Sequence, residues 1–168
     1  MFTVHRSQKN PLISPNEKNP HEAYATFNPS PIKIGAKTHL LYRAQSMPEK
    51  FENTSFSLSI IAKEGKPFIE PEHSWERYGC EDPRVTKLGN KYYIFYTALS
   101  TFPFGPQGTK VALAISKDLK TIEEKHPITP FNAKAMALFP EKINGKFAAV
   151  LTALSDEGPL FGTVALAL

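Results

Sequence analysis

One β-hairpin stands out in the sequence, Val85-Thr86-Lys87-Leu88-Gly89-Asn90-Lys91-Tyr92-Tyr93-Ile94-Phe95-Tyr96-Thr97-Ala98. Its arms are rich in β-branched and aromatic residues, and Gly89-Asn90 between them tolerates the positive φ angles of a tight turn. The same pattern recurs on either side of it, with turns at Gly35-Ala36-Lys37 and Asn144-Gly145-Lys146. A hairpin is therefore the repeated unit of this chain.

The repeat has a constant length. The alanines that close the second arm of each hairpin are 54 and 55 residues apart: Ala44, Ala98 and Ala153. A further apolar strand follows each hairpin. A repeat of this length with about four short strands is typical of a propeller blade, whereas solenoid repeats are usually shorter and mostly helical. The alternative is a two-sheet sandwich whose strands resemble one another by chance.

The repeat predicts an all-β chain that forms one partial β-propeller domain over residues 1–168, with about three blades. The expected parts are an extended Pro- and Asn-rich lead-in at 1–23, blades at about 24–78 and 79–133, and an incomplete blade at about 134–168. Leu168 falls inside an apolar strand, and propellers close with about four or more blades. We therefore expect more chain, or another copy, to complete the fold.

Composition is that of a globular protein, with 41% hydrophobic and 21% charged residues and fifteen prolines that favour turns. The sequence has no long apolar run and no hydrophobic segment typical of a signal peptide, so it predicts a cytoplasmic protein that does not enter a membrane. The formal charge is +4 with scattered lysines, which argues against a nucleic-acid partner. Cys80 is the only cysteine, so an internal disulfide is excluded.

The chemistry is concentrated just before the central hairpin, in Gly79-Cys80-Glu81-Asp82-Pro83-Arg84. A strand begins there, so the sheet can hold two carboxylates rigidly while they face a substrate. A carboxyl beside a second carboxylate keeps its proton to higher pH, as a general acid must. Adjacent strand residues point to opposite faces, however, which would separate the two. The alternative is that these charged residues only form salt bridges at the start of the strand and have no catalytic role.

Two long connections flank the central hairpin, at residues 63–78 and 99–110, and we expect them to frame a cleft near Asp82. Other sites find no support. The five histidines show no paired ligand spacing and there is one cysteine, so no metal site is predicted. The sequence has neither a phosphate-binding Gly-Lys-Ser/Thr loop nor a Gly-x-Ser-x-Gly nucleophile turn. No cofactor is predicted.

The motifs, in order, resemble glycoside hydrolase family 130. They are Asn28-Pro29, Leu41-Tyr42-Arg43-Ala44, Gly79-Cys80-Glu81-Asp82-Pro83-Arg84, Tyr96-Thr97-Ala98, Ala112-Leu113-Ala114-Ile115-Ser116-Lys117-Asp118-Leu119 and Ala137-Leu138-Phe139-Pro140-Glu141-Lys142-Ile143-Asn144-Gly145-Lys146. They span nearly the whole chain and match the N-terminal part of the family. The resemblance implies a five-bladed β-propeller that cleaves β-linked mannosides in its central depression. Most members are phosphorylases and some are hydrolases.

The resemblance also assigns residue roles. Asp82 is implied to be the general acid of an inverting single displacement, with its proton passing through a sugar hydroxyl. Asn28 and Arg43 are implied to hold the sugar beside it, and an arginine in an apolar strand does need a polar cavity or a carboxylate. The other substrate-binding candidates are Glu81, Arg84, Asn132 and Lys134. The implied partner is an oligosaccharide containing β-linked mannose, and a homo-oligomer stays open.

The strand after the Leu-Phe-Pro-Glu-Lys-Ile motif bears on whether water or phosphate attacks the sugar. In the phosphorylases it commonly ends in a His-Arg pair, but here it reads Ala148-Ala149-Val150-Leu151-Thr152-Ala153-Leu154. This departure slightly favours hydrolysis, for which Glu141 and Asp156 are candidate bases. For a phosphorylase, inorganic phosphate would be the co-substrate. The remaining alternative is a catalytically silent carbohydrate-binding propeller or an inactive fragment.

Overall fold

A computed structural model describes residues 3–51, 54–154 and 162–167. These residues form strands and two short 3₁₀ helices, η1 and η2. The elements in chain order are η1 (Pro20–Glu22), β1 (Ala25–Ile34), β2 (Lys37–Gln45), β3 (Glu49–Phe51), β4 (Thr54–Phe56), β5 (Ser59–Lys63), β6 (Lys66–Ile69), η2 (Ser74–Glu76), β7 (Gly79–Leu88), β8 (Lys91–Leu99), β9 (Thr109–Ser116), β10 (Glu124–Pro127), β11 (Ala133–Leu138), β12 (Ala149–Leu154) and β13 (Gly162–Ala167). Neither of these helices is long and apolar enough to cross a membrane.

The strands form three successive antiparallel sheets. The first runs in the order β1-β2-β5-β6, the second β7-β8-β9-β10 and the third β11-β12-β13, while β3 and β4 form a separate small hairpin. The first two sheets are joined by one parallel bridge, between Ser59 and Gly79. Consecutive up-and-down sheets of this kind are propeller blades and not the layers of a sandwich. The prediction of an all-β partial propeller is confirmed.

The predicted connection at residues 63–78 is more ordered than the sequence indicates. It contains β6, the outer strand of the first blade, and η2. The strand was missed because Lys66-Pro67-Phe68-Ile69 is short and bears a proline, yet it pairs with β5 and buries Ile69. Proline is tolerated there because an edge strand needs fewer backbone donors.

The first strand of each blade carries the same irregularity. The pairing register shifts by one residue between Phe27 and Ser30, between Glu81 and Arg84, and between Lys134 and Ala137. In each bulge two residues lie opposite one, and the first of the two has a left-handed backbone, with φ of 49° at Asn28, 51° at Asp82 and 53° at Ala135. Arg43, Thr97 and Thr152 pair with the residue just before the bulge, so the sequence repeat is a structural repeat.

A second repeated feature anchors the blades. Both 3₁₀ helices end in a buried glutamate, Glu22 and Glu76, which accepts a hydrogen bond from a tyrosine hydroxyl of the next hairpin. Tyr42 donates to Glu22 over 2.8 Å, and Tyr96 donates to Glu76 over 2.7 Å. Burial, together with the hydrogen bond to Glu22, raises the pKa of Tyr42 to about 12, so it remains a donor at neutral pH.

Glu76 is the centre of a larger network. It is fully buried and accepts hydrogen bonds from the Glu72 and His73 amides as well as from Tyr96. The ammonium group of Lys125, on β10, forms an ion pair with it. The carboxylate atoms of Glu72 and Glu76 and a ring nitrogen of His73 lie within 4.8 Å of one another, but Lys125 already supplies the positive charge. The network therefore ties η2 to the outer strand of the second blade.

The second and third blades meet through an apolar face. Phe95, Val111 and Leu113 of the second blade belong to one buried cluster with Met136 and Leu151 of the third. A further link is polar, because the Thr86 hydroxyl donates to the Leu138 carbonyl over 3.0 Å. This packing fixes β11 beside the first strand of the second blade, which positions the candidate site.

Candidate active site

The bulge in β7 places the two acidic side chains of the motif together. Strand alternation predicts that Glu81 and Asp82 point apart, and this expectation is wrong for a physical reason. The left-handed angle at Asp82 and the register shift after Glu81 interrupt the alternation. Aspartate is one of the few residues that tolerates such an angle. Both carboxylates consequently reach the guanidinium of Arg43.

Arg43 connects the two blades electrostatically. Its Nη2 lies 2.5 Å from Glu81 Oε1, and its Nη1 lies 3.6 Å from Asp82 Oδ1. The guanidinium also stacks on the Phe27 ring, 4.6 Å from the ring centroid. Planar stacking and a fork of donors suit arginine better than lysine. Arg43 is thus held in one orientation toward the motif, as the sequence predicts.

Asn28 is the direct partner of the predicted acid. Its Nδ2 donates to Asp82 Oδ1 over 2.7 Å, although the two residues are 54 positions apart. The two residues occupy the same place in the bulges of successive blades. The repeat therefore explains why an amide and a carboxylate meet at the inner end of the first two blades.

Ser59 is a site residue that the sequence reading missed. Its hydroxyl accepts hydrogen bonds from Arg43 Nε over 3.2 Å and from Gln45 Nε2 over 3.0 Å, and donates to Glu81 Oε1 over 3.0 Å. The side chain is almost fully buried. The sequence does not mark Ser59 as a site residue, because a single serine in an apolar strand is ordinary and its role arises only where two blades meet.

Glu81 is the acidic group whose ionisation the site perturbs. Burial raises the pKa of Glu81 above its usual 4.5, and the charge of Asp82 acts in the same direction. Arg43, the Ser59 hydroxyl and Lys134 oppose the rise without cancelling it. Glu81 therefore takes up a proton at higher pH than an ordinary glutamate.

A cavity of about 320 Å³ opens over these groups. One wall is charged and the other is mostly apolar. The lining residues are Arg43, Glu81, Asp82, Thr97, Leu99, Phe104, Gly105, Pro106, Thr109, Lys134 and Leu154. A volume of this size and mixed character is suited to a small polar ligand.

Other residues follow the predictions less closely. The connection 99–110 lines the cavity as expected, whereas no residue of 63–78 does, and Tyr78 only packs on Phe102 of the other connection. Arg84 does not line the cavity, and its Nη1 donates to the Pro83 carbonyl over 2.8 Å. Asn132 is buried next to β11, where its carbonyl accepts from the Leu154 amide. Glu141 is exposed away from the cavity, and Asp156 lies outside the described residues.

A comparison with models of protein families identifies the family of the chain. Residues 4–157 match the glycoside hydrolase family 130 model, described as beta-1,4-mannooligosaccharide phosphorylase. The chain belongs to glycoside hydrolase family 130. The match covers most of the chain and includes all the motif residues that line the cavity.

Curated relatives agree with this assignment, and a solved structure shares the fold. The chain is 32% identical to a beta-1,2-mannobiose phosphorylase and 31% identical to a 1,2-beta-oligomannan phosphorylase, both from Thermoanaerobacter sp. (strain X514). These alignments cover 88% of this chain but only 53% and 52% of the relatives, so the chain spans about half their length. The structure of a beta-1,2-mannobiose phosphorylase from Listeria innocua matches over 99% of this chain and 63% of its own, with a TM-score of 0.74 and 24% identity.

Proposed function

We propose that the protein containing this chain cleaves β-linked mannosides by a single inverting displacement, with Asp82 as the general acid. The observation that carries the proposal is the cluster of Asn28, Arg43, Glu81 and Asp82 at the charged wall of the cavity. The family and the phosphorylase relatives supply the substrate class. The partner is accordingly an oligosaccharide that contains β-linked mannose.

The contacts of Asp82 distinguish its two oxygens. The Asn28 amide and the nearer Arg43 nitrogen both approach Oδ1. Oδ2 is therefore the oxygen that would carry a proton toward a bound sugar. A glycosidic oxygen leaves poorly unless it is protonated, so the proton must reach it directly or through a sugar hydroxyl.

Glu81 and Arg43 prepare the site around this acid. Glu81 holds Arg43 at 2.5 Å, and Ser59, in the same blade as Arg43, forms hydrogen bonds with both. Arg43 is thereby left able to donate to sugar hydroxyls near Asp82. In this proposal Asn28 and Arg43 bind the sugar that loses its leaving group, and Glu81 positions Arg43.

Hydrolysis and phosphorolysis differ in the nucleophile. Over its described length β12 offers no basic side chain, which favours water. The phosphorylase names of the relatives favour phosphate, and Lys134 is a cation at the cavity that would attract it. Phosphorolysis is therefore the second candidate, with inorganic phosphate as co-substrate and no other cofactor.

The deciding experiment is a product analysis. The full-length protein is incubated with β-1,2-mannobiose and with β-1,4-mannobiose, each with and without inorganic phosphate. Hydrolysis gives mannose alone in every reaction, whereas phosphorolysis gives mannose 1-phosphate only when phosphate is present. Absence of cleavage of either disaccharide under both conditions would contradict the proposed function and favour a carbohydrate-binding propeller.

A further inference from the structure

Phe104, on the apolar wall of the cavity, belongs to a cluster of aromatic rings from three separate segments. Phe102 and Phe104 belong to the loop between β8 and β9, Phe56 ends β4, and Tyr78 precedes β7. Phe102 lies 5.0 Å from Phe104, 5.2 Å from Phe56 and 6.0 Å from Tyr78, measured between ring centroids. Phe56 also contacts Tyr78 and Phe104, at 5.9 and 6.0 Å. We call these four rings the aromatic platform.

Phe104 is the ring of this platform that faces the cavity. It lines the cavity together with Gly105 and Pro106, and 47% of its surface is exposed. Its edge-to-face contacts with Phe102 and Phe56 restrict the ring from behind. A large aromatic surface held against solvent beside a charged wall is unusual for residues that serve only packing.

The loop that carries Phe104 is held in place by its own hydrogen bonds. The Thr101 hydroxyl donates to the Gln107 carbonyl over 2.8 Å, and the Thr109 hydroxyl donates to the Gly105 carbonyl over 2.7 Å. The Ser100 amide and hydroxyl both donate to the Gly108 carbonyl. A Cβ atom at Gly108 would lie 2.2 Å from Thr101 Oγ1, so the close turn requires glycine. The platform is therefore formed before a ligand arrives, and binding would not have to order it.

We infer that Phe104 stacks against the sugar on the leaving side of the scissile bond and selects substrates with a second pyranose ring there. The inference rests on the proposed function. The charged wall, formed by Arg43, Glu81 and Asp82, suits the hydroxyls of the sugar beside the acid. The apolar face of a second pyranose ring is complementary to Phe104 across the same cavity.

The test compares Phe104→Ala and Phe104→Tyr in the full-length protein, using whichever β-mannobiose the wild type cleaves. Loss of the stacked face weakens ground-state and transition-state binding alike. We expect KM to rise about fivefold to tenfold in Phe104→Ala, with kcat within about twofold. Phe104→Tyr keeps the ring and should retain the wild-type KM. Methyl β-mannoside has no second ring, and its inhibition constant should stay unchanged in Phe104→Ala.

The matched control is Phe147→Ala. Phe147 is also a half-exposed phenylalanine, 45% exposed, but it packs on Tyr93 of the second blade and does not line the cavity. An unchanged KM in Phe104→Ala would overturn the inference while leaving the proposed function intact. An equal loss for methyl β-mannoside would also overturn it, because Phe104 would then contact the sugar beside Asp82. A wild type that cleaves no mannoside would overturn the proposed function and this inference together.

Discussion

Position 82 joins a chemical and a conformational requirement in one residue. Its carboxylate accepts a hydrogen bond from Asn28, and its backbone has φ of 51°. Aspartate and asparagine are the non-glycine residues that accept this region most readily. Asparagine is therefore the substitution that keeps the backbone and removes only the acidic proton.

Asp82→Asn should lower the turnover of an unactivated β-mannoside by at least about 10²-fold, since an amide cannot supply the proton that the leaving oxygen needs. The thermal midpoint should change little. Steady-state assays and thermal unfolding of the same preparation would check both statements. Glu17→Gln removes an exposed carboxylate from the lead-in and is the matched control. Near wild-type turnover by Asp82→Asn would make Asp82 a structural residue.

The sequence predicts this part of the site better than its surroundings. The sequence identifies Asp82, Glu81 and Arg43 because they are charged residues at the start of a strand or within an apolar strand. A charge in such a place is costly unless a partner or a polar cavity compensates it. Ser59 and Phe27 could not be identified, because serine and phenylalanine are ordinary in strands. Their role depends on which blades and strands become neighbours. The approach of both acidic side chains to Arg43 was also unpredictable without the bulge that interrupts the alternation.

At the scale of the strand, the recurring bulge is the element that brings side chains to the site. Its left-handed position holds Asn28, Asp82 and Ala135 in turn. The first two are suited to the angle, but alanine pays a steric penalty there. The third bulge is therefore a local conflict between sequence and backbone.

Ala135→Gly should raise the free energy of unfolding by about 0.5–1 kcal/mol, because relief of the left-handed strain exceeds the entropy that glycine loses on folding. Chemical denaturation measures the difference. Ala133→Gly is the control in the same strand, at a fully buried position without a positive φ. We expect that control to be destabilised. Destabilisation of both variants by similar amounts would show that the angle at Ala135 costs little.

Elements were predicted unevenly for a related reason. The hairpins were evident because turn residues and β-rich arms are local signals. The bulges were not, since a register shift needs a partner strand to define it. Strand β6 is not evident in the sequence because it is short and contains a proline, and its pairing with β5 determines its structure.

At the scale of the whole molecule, buried polar groups tie elements that are distant in sequence. Burial alone would raise the pKa of Glu76, but hydrogen bonds from Lys125, Tyr96 and the Glu72 amide lower it below the usual 4.5. A carboxylate whose pKa is depressed by folding stabilises the fold above its unfolded pKa, and this stabilisation is lost as the pH falls. Acid should therefore weaken the network from about pH 4.5 downward.

Lys125→Met should lower the free energy of unfolding by about 3–5 kcal/mol at pH 7, because it leaves a buried carboxylate without a cation. The deficit should shrink as the pH falls toward and below about 4.5, because protonation of Glu76 removes the unpaired charge. Denaturant titrations at several pH values would measure it. Lys117→Met is the control, since the Lys117–Glu123 pair is exposed to solvent and should contribute little to stability. A deficit that does not depend on pH would contradict this account.

The propeller itself followed from the constant repeat length, and the structure confirms that architecture. The blade boundaries near residues 24, 79 and 134 remain our proposal for the structural units. Five blades follow from the family and not from the repeat alone, because a period gives the size of a unit and not the number that closes a ring. The Glu76 network could not be predicted from the sequence. Glu76 and Lys125 are far apart in the sequence and meet only because η2 packs beside β10.

The repeated bulge has a consequence for how this site arose and how it can change. Duplication of one ancestral blade would copy the same inward-facing position several times, at no cost to the rest of the fold. Each copy could then mutate by itself, and the chain now carries an amide, a carboxylate and a methyl group at positions 28, 82 and 135. Because position 82 carries the proposed acid, positions 28 and 135 are where a single substitution could alter specificity while the supporting sheets stay as they are.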